Sequence, residues 1–156
     1  MELASLLNPE LITINLKGST KRDVFEEMVN LIHSRKMITD PDSALFSILD
    51  REKLGSTGVG HGIALPHSKT SAAKQTVMAV AVLKDSIEFA SIDGLPVKLV
   101  IMTLYPPGAA GIHLEILAEL AHVFIDNEFT KKIIAAADPA ALYELLVNSV
   151  NKIDSD

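Results

Sequence analysis

Cysteine is absent from this 156-residue chain. That removes disulfides, thiolate metal sites and thiol nucleophiles together, and it fits a reducing compartment. A basic excess is absent too: 14 Lys and Arg stand against 20 Asp and Glu, for a net charge of −6. This balance argues against nucleic-acid binding through a basic surface. Long apolar runs are missing. The longest, Val77 to Leu83 and Leu99 to Leu104, fall far short of the roughly 20 residues that span a bilayer, so direct membrane insertion is not expected. The opening Met1-Glu2-Leu3-Ala4-Ser5 lacks the basic n-region of a signal peptide. The expectation is a soluble, cytoplasmic protein.

Several chemical motifs are also missing. No Gly-Lys-Ser/Thr follows the glycines, and no G-x-G-x-x-G follows a strand, so no nucleotide cofactor is expected. There is no HExxH and no carboxylate at ligand spacing beside His61, His67 or His113, so these histidines are not read as a metal site. His33 and His122 fall on helical patterns and read as surface or boundary residues.

What is present is an ample core. Hydrophobic residues make up 48% of the chain, enough for one folded domain spanning 1–156. No stretch reads as a linker or repeat. Leu11 to Ile14 reads as a strand. Ser19 or Thr20 caps a helix with Val24, Met28, Leu31 and Ile32 on its apolar face. Asp40-Pro41 opens a second helix, with Pro at its first position. Leu45, Ile48 and Leu49 line its buried side, and it ends near Gly55 with Arg51 in its last turn. Thr76 to Leu83 and Val97 to Leu104 read as strands covered on both faces. After the loop Pro106 to Gly111, a helix starts near Ile112 with Leu114, Leu117, Ala118 and Ala121 toward the core. Helices around 128–136 and 139–149 close the chain. Interleaved strands and helices predict an α/β sandwich in which helices flank a central mixed β-sheet.

The chemistry is concentrated in Arg51-Glu52-Lys53-Leu54-Gly55-Ser56-Thr57-Gly58-Val59-Gly60-His61-Gly62-Ile63-Ala64-Leu65-Pro66-His67-Ser68. Four of the eight glycines fall between positions 55 and 62. Glycines let backbone N–H groups turn toward an anion. The run Ile63 to Leu65 stops at Pro66, which cannot continue a strand ladder, so His67 is expected at the rim of a sheet. A neutral imidazole, with a reference pKa near ~6.5, is a competent nucleophile at neutral pH. The bland alternative is a solvated histidine at a strand end. His113 lies two residues past Gly111 at an expected helix start, where dipole and N–H groups favour an anion over an imidazolium. It reads either as a neutral donor to a phosphate on His67 or as an exposed N-terminal histidine. Arg51 either stabilises phosphoryl oxygens or complements its helix dipole. The Thr57 hydroxyl can donate to phosphate, but such residues are common in loops.

This stretch resembles the active-site signature of the fructose/mannitol-type enzyme IIA domains of the sugar phosphotransferase system, including the nitrogen-regulatory IIA proteins. The signature runs from an acidic or amide residue (Glu52), through an apolar-Gly pair (Val59-Gly60), to apolar-Ala-apolar-Pro-His (Ile63 to His67). Ser68 stands where the family usually has Gly. The resemblance extends over essentially the whole chain in length and element order. It implies the same sandwich fold, His67 as phospho-acceptor, and His113 and Arg51 as its catalytic neighbours; Thr57 and Gly60 of the loop are the expected phosphate-binding residues. It also implies an HPr-like phosphocarrier protein as donor, with a IIB component or a regulatory target protein downstream. The opening Leu3 to Pro9 and the run Arg51 to Pro66 look most like the nitrogen-regulatory branch. The competing readings are a sugar-transport IIA, a binding module without phosphoryl chemistry, and a metal-dependent hydrolase.

Overall fold

The computed structural model describes residues 3–154; the opening Met1-Glu2 lies outside them. Two short 3-10 turns, Leu3–Leu6 and Pro9–Leu11, lead into β1 (Ile12–Leu16), α1 (Lys21–Ser34) and α2 (Pro41–Lys53). The glycine run then forms β2 (Gly58–Gly60), β3 (Ile63–Ala64) and β4 (His67–Lys69). Two long strands follow, β5 (Val77–Ile87) and β6 (Val97–Tyr105), and then α3 (Ala110–Val123), α4 (Asn127–Ile134) and α5 (Pro139–Asp154). The six strands form one mixed sheet in the order β1-β5-β6-β3-β2, with β4 also on β6. This is the α/β sandwich expected from the sequence.

The helix starts follow local chemistry. Thr20, rather than Ser19, caps α1 by accepting the Asp23 N–H at 3.1 Å. Asp40 caps α2 by accepting the Ser43 N–H, with Pro41 in the first turn where its missing N–H costs nothing.

Val77 to Leu83 of β5 and Leu99 to Met102 of β6 are apolar without a break because both faces are covered there, and their alternation divides the core. Ala79, Ala81, Leu83, Val100 and Met102 pack with Phe25, Met28, Ile32 and Ile48 of α1 and α2. Val80, Val82, Leu99 and Ile101 pack with Ile116 and Leu120 of α3, Ile133 of α4, and Leu142 and Leu146 of α5. The result is three layers, helix–sheet–helix.

Two sequence expectations change. Pro66 interrupts the strand but does not end its course along β6. Its carbonyl accepts the Thr103 N–H at 3.0 Å, and the chain pairs with β6 again at once: His67 with Thr103, Ser68 with Leu104, Lys69 with Tyr105. Proline removes one N–H rung but keeps its acceptor, so a parallel edge segment absorbs it. Ser68 sits buried and extended in β4, which is why a residue with a Cβ fits there.

The second change concerns α3. Its core side is His113, Ile116, Leu120 and Val123, whereas Ala118 and Ala121 are exposed, Leu117 is half-buried and Leu114 is 68% exposed. This helix carries apolar residues nearly all round, so periodicity alone offered two faces a residue apart. The expected outcome is a clear split between neighbours. Ile116→Ala should lose about 2–5 kcal/mol in urea unfolding, while Leu114→Ala should stay within about 0.5 kcal/mol of the parent. Equal losses would restore the face read from the sequence.

Candidate active site

His67 opens β4 at the sheet edge, half-buried, where α2 packs beside it. Upstream, the Leu65 N–H turns away from β6 to the Thr57 carbonyl, at 3.0 Å. The Leu65 carbonyl accepts from His67 Nδ1 at 2.9 Å. A carbonyl only accepts, so this bond places the proton on Nδ1 and leaves the lone pair of the neutral ring on Nε2.

His113 comes from the other helical layer. It lies in the first turn of α3, which follows β6 after the short turn Pro106 to Ala109 and has no side-chain cap at Ala109. Its ring centroid is 4.8 Å from that of His67, tilted by 41°. It stacks on Tyr105 at 4.2 Å and 15°. The residue is 3% exposed, and neither ring nitrogen has a hydrogen-bond partner. Burial, reinforced by His67 nearby, lowers its pKa from 6.5 to about 4, so it is a neutral imidazole at physiological pH. A buried donor with no partner, beside a second imidazole with a free Nε2 lone pair, is suited to receive an anion.

Arg51 reaches the same place from α2. Its Nη1 donates to the Gly55 carbonyl at 3.1 Å. A cavity of about 320 Å³ is lined by Arg51, Asp50 and Leu54 on the α2 side and by His67, Lys69 and Tyr105 on the sheet side. His67 is thus the shared neighbour: Arg51 lines its cavity, and His113 meets its ring from the other side without lining that cavity.

The polar groups of Thr57 and the backbone of Gly60 are engaged elsewhere. The Thr57 hydroxyl donates to Glu52 Oε2 at 2.7 Å and its N–H to Glu52 Oε1 at 2.9 Å. The same carboxylate holds Lys21 Nζ at 2.8 Å, and that ammonium lies 4.3 Å above the Phe89 ring. Glu52 thus ties the glycine loop to α2 and α1. Gly60 pairs with Ile63, four residues or about 13 Å of strand before His67. With φ +100° it needs a glycine's freedom, and it lines a separate groove beside Leu120 and Phe124. His61 lines that groove too, its N–H held by Asp93 at 2.9 Å; this bond, with one from Leu95, keeps the Asp93 carboxylate below its ordinary pKa. Among the described residues no group of three His, Asp or Glu is placed to hold a metal ion.

Sequence reasoning missed Tyr105, the Leu65 carbonyl and the clamp made by Glu52. A signal for Tyr105 existed: it is the aromatic residue that ends a strand just before the loop leading to His113.

The fold and this site define a class: a single-domain helix–sheet–helix sandwich with two histidines in ring contact at the sheet edge. The comparisons with known proteins carry this to a family. The chain belongs to the family described as phosphoenolpyruvate-dependent sugar phosphotransferase system, EIIA 2, whose model matches residues 5–149. It is 36% identical over 147 residues to a nitrogen regulatory protein of Bradyrhizobium diazoefficiens, covering 94% of this chain and 95% of the relative. It is 32% identical over 146 residues to the fructose-specific EIIABC component of Bacillus subtilis, covering 94% of this chain but 23% of that longer protein. The crystal structure of the nitrogen regulatory protein IIA-Ntr from Neisseria meningitidis superposes with TM-score 0.85 at 29% identity, over 92% of this chain and 98% of the other. EIIA domains are phosphotransferases within a phosphoryl relay, and a phosphoryl-carrier role fits this chain. No helix among the described residues is long and apolar enough to cross a membrane.

The low pKa of His113 has a measurable consequence. Below pH 6.5 the unfolded chain takes up a proton at this residue that the folded protein refuses until about pH 4. Stability from this group is therefore complete above pH 6.5 and falls as pH drops toward 4, by up to about 1.4 kcal/mol per unit. Urea unfolding at pH 7 and pH 5 should show a smaller difference for His113→Phe than for the parent protein. An identical pH dependence would mean that His113 is not held neutral by the fold.

Proposed function

We propose that this protein, acting as one domain over 1–156, is a cytoplasmic phosphoryl carrier that accepts phosphate on His67 Nε2 from the phosphohistidine of an HPr-like protein. The observation that carries this reading is the pairing of His67, whose Nδ1–H is fixed by the Leu65 carbonyl, with the neutral, unpartnered His113 beside it. In the step, Nε2 attacks phosphorus and the donor's N–P bond breaks, its electron pair returning to the donor imidazole. His67 keeps its Nδ1 proton, and the Leu65 carbonyl stabilises the positive charge that the ring gains. Charge on the three equatorial oxygens is met by a His113 N–H and by the Arg51 guanidinium, so positioning and electrostatics supply the catalysis. Thr57 and Gly60 serve the phosphate indirectly, by holding the shape of the loop.

For the onward step, we favour signalling through the phosphorylation state over sugar transport. Leu54 and Phe46, 83% and 69% exposed, border the His67 cavity, and Ile112, next to His113, is 39% exposed. A partner burying this apolar rim is penalised when a dianion appears at its centre. The likeness to the nitrogen regulatory proteins supports the same choice. Transport through a separate IIB component is the second reading, favoured by the likeness to a fructose-specific component.

His67→Ala should take no label from an energised carrier, assayed under alkaline conditions because phosphohistidine is acid-labile; normal labelling would sink the assignment. Arg51→Ala and His113→Ala should keep the fold by circular dichroism and slow transfer roughly a hundredfold or more, the value of one charge-stabilising donor at about 2.7–4 kcal/mol. A mutant at the wild-type rate removes that residue from the mechanism. Pull-downs with wild type, His67→Ala and His67→Asp should recover a regulatory target unequally. Equal recovery by all three, together with rapid transfer to a IIB component, would decide for transport.

A further inference from the structure

We propose that Tyr105 is a positioning residue for this phosphoryl transfer, its ring fixing the plane of the His113 imidazole against His67; the proposal rests on the phosphoryl-carrier reading above. An imidazole at a reactive site usually has its orientation set by a hydrogen bond from its second nitrogen. His113 has no such bond on either nitrogen. The torsion that turns an imidazole ring is broad, so something else must restrain it. Two ring contacts remain: His67, tilted at 41°, and Tyr105, nearly parallel at 15° with centroids 4.2 Å apart. Only the second is a flat face against a flat face.

The platform is itself anchored. Tyr105 ends β6 opposite Lys69, and its carbonyl accepts the Thr70 N–H at 2.9 Å. It is half-buried and lines the same cavity as His67 and Arg51. The stacked ring therefore does two things at once. It holds the His113 plane, and with it the direction of the N–H toward a phosphoryl oxygen on His67. It also shields one face of that imidazole from water. A small error in such an alignment is costly, because the donor must meet the position that the oxygen reaches in the transition state. An aliphatic side chain at position 105 would keep the burial and lose the flat face.

The test separates stacking from mere packing. Tyr105→Leu should slow phosphoryl transfer about tenfold or more, with the KM for the carrier within about twofold of wild type and the thermal midpoint checked alongside. Tyr105→Phe should recover most of that loss. In a His113→Ala background, Tyr105→Leu should cost nothing further, since the ring that it orients is gone. A wild-type rate for Tyr105→Leu, an equal loss with and without His113, or a failure of Phe to recover the rate would each overturn the proposal; the last would move the role to the phenol hydroxyl. A second readout needs no phosphate. In NMR spectra of the unmodified protein, the His113 ring protons should carry an upfield ring-current shift that Tyr105→Phe keeps and Tyr105→Leu abolishes. If wild type accepts no phosphate yet this shift behaves as expected, the reading of His67 fails while the stacking stands. If wild type is phosphorylated normally and the shift is absent, the Tyr105 proposal alone fails.

Discussion

The site depends on a constraint in the backbone, the interruption of a strand at Pro66. Ile63 to Lys69 runs beside β6 in two pieces, β3 and β4, with proline between them. On the side of Leu65 that faces away from β6, the residue just before β2 takes the N–H, which bonds the Thr57 carbonyl, while the Leu65 carbonyl is taken by the His67 ring. A main-chain acceptor at a strand edge thus becomes the device that selects the tautomer of His67. The Pro66 carbonyl, by bonding Thr103, returns the chain to the sheet and keeps His67 from swinging free of it. The His67 ring is presented at an edge, yet on a backbone held by hydrogen bonds on both sides of the break.

Everything else at the site is delivered by the three-layer arrangement. β5 and β6 are apolar on both faces, so helices must cover both. One layer brings α2, whose last turn carries Arg51. The other brings α3, whose first turn carries His113. The two layers meet only around the edges and ends of the sheet, and His67 stands at such a place. Glu52 holds the geometry on the α2 side: its side chain is 6% exposed, and it joins Thr57 and Lys21. A buried carboxylate is costly unless it is paired and hydrogen-bonded, and here each oxygen has a partner. The acidic residue at the head of the signature is thus explained as the tie that fixes the loop.

Much of this was legible in the sequence because it is local. Thr20 and Asp40-Pro41 marked helix starts by chemistry that acts within three residues. The unbroken apolar runs of β5 and β6 announced a sheet covered on both sides. The motif located His67 and placed Arg51 in a final helical turn. What was not legible depends on contacts across the chain. The inward face of α3 was misread because Leu114, Leu117, Ala118 and Ala121 are as apolar as a core stripe, and only packing against the sheet chooses His113, Ile116 and Leu120 instead. That choice decides the chemistry, since it buries His113 and strips it of water. Tyr105 was overlooked because stacking between residues 105 and 113 has no signature in spacing. The hydroxyl of Thr57 and the glycine at position 60 suggested phosphate contacts, but spacing could not show that Glu52 accepts from that hydroxyl or that Gly60 pairs with Ile63.

The balance of charge around His67 bears on how such a site can both take and give. The charged groups lining its cavity are Arg51 and Lys69 against Asp50, a small positive excess. His113 adds a dipole but no charge while its pKa stays near 4. An incoming dianion therefore meets modest electrostatic stabilisation and not a dense cationic clamp. Strong ground-state binding of the phosphoryl group would lower the energy of the loaded carrier and raise the barrier to releasing it, because only interactions that strengthen in the transition state speed the step. A neutral imidazole donor held in one plane meets this requirement. It offers little long-range attraction to the resting group, and its single directed hydrogen bond strengthens as charge builds on the equatorial oxygens. On the proposed phosphoryl-carrier reading, a neutral second histidine suits a site that must both load and unload, and burial beside Tyr105 is the feature of the fold that favours the neutral form.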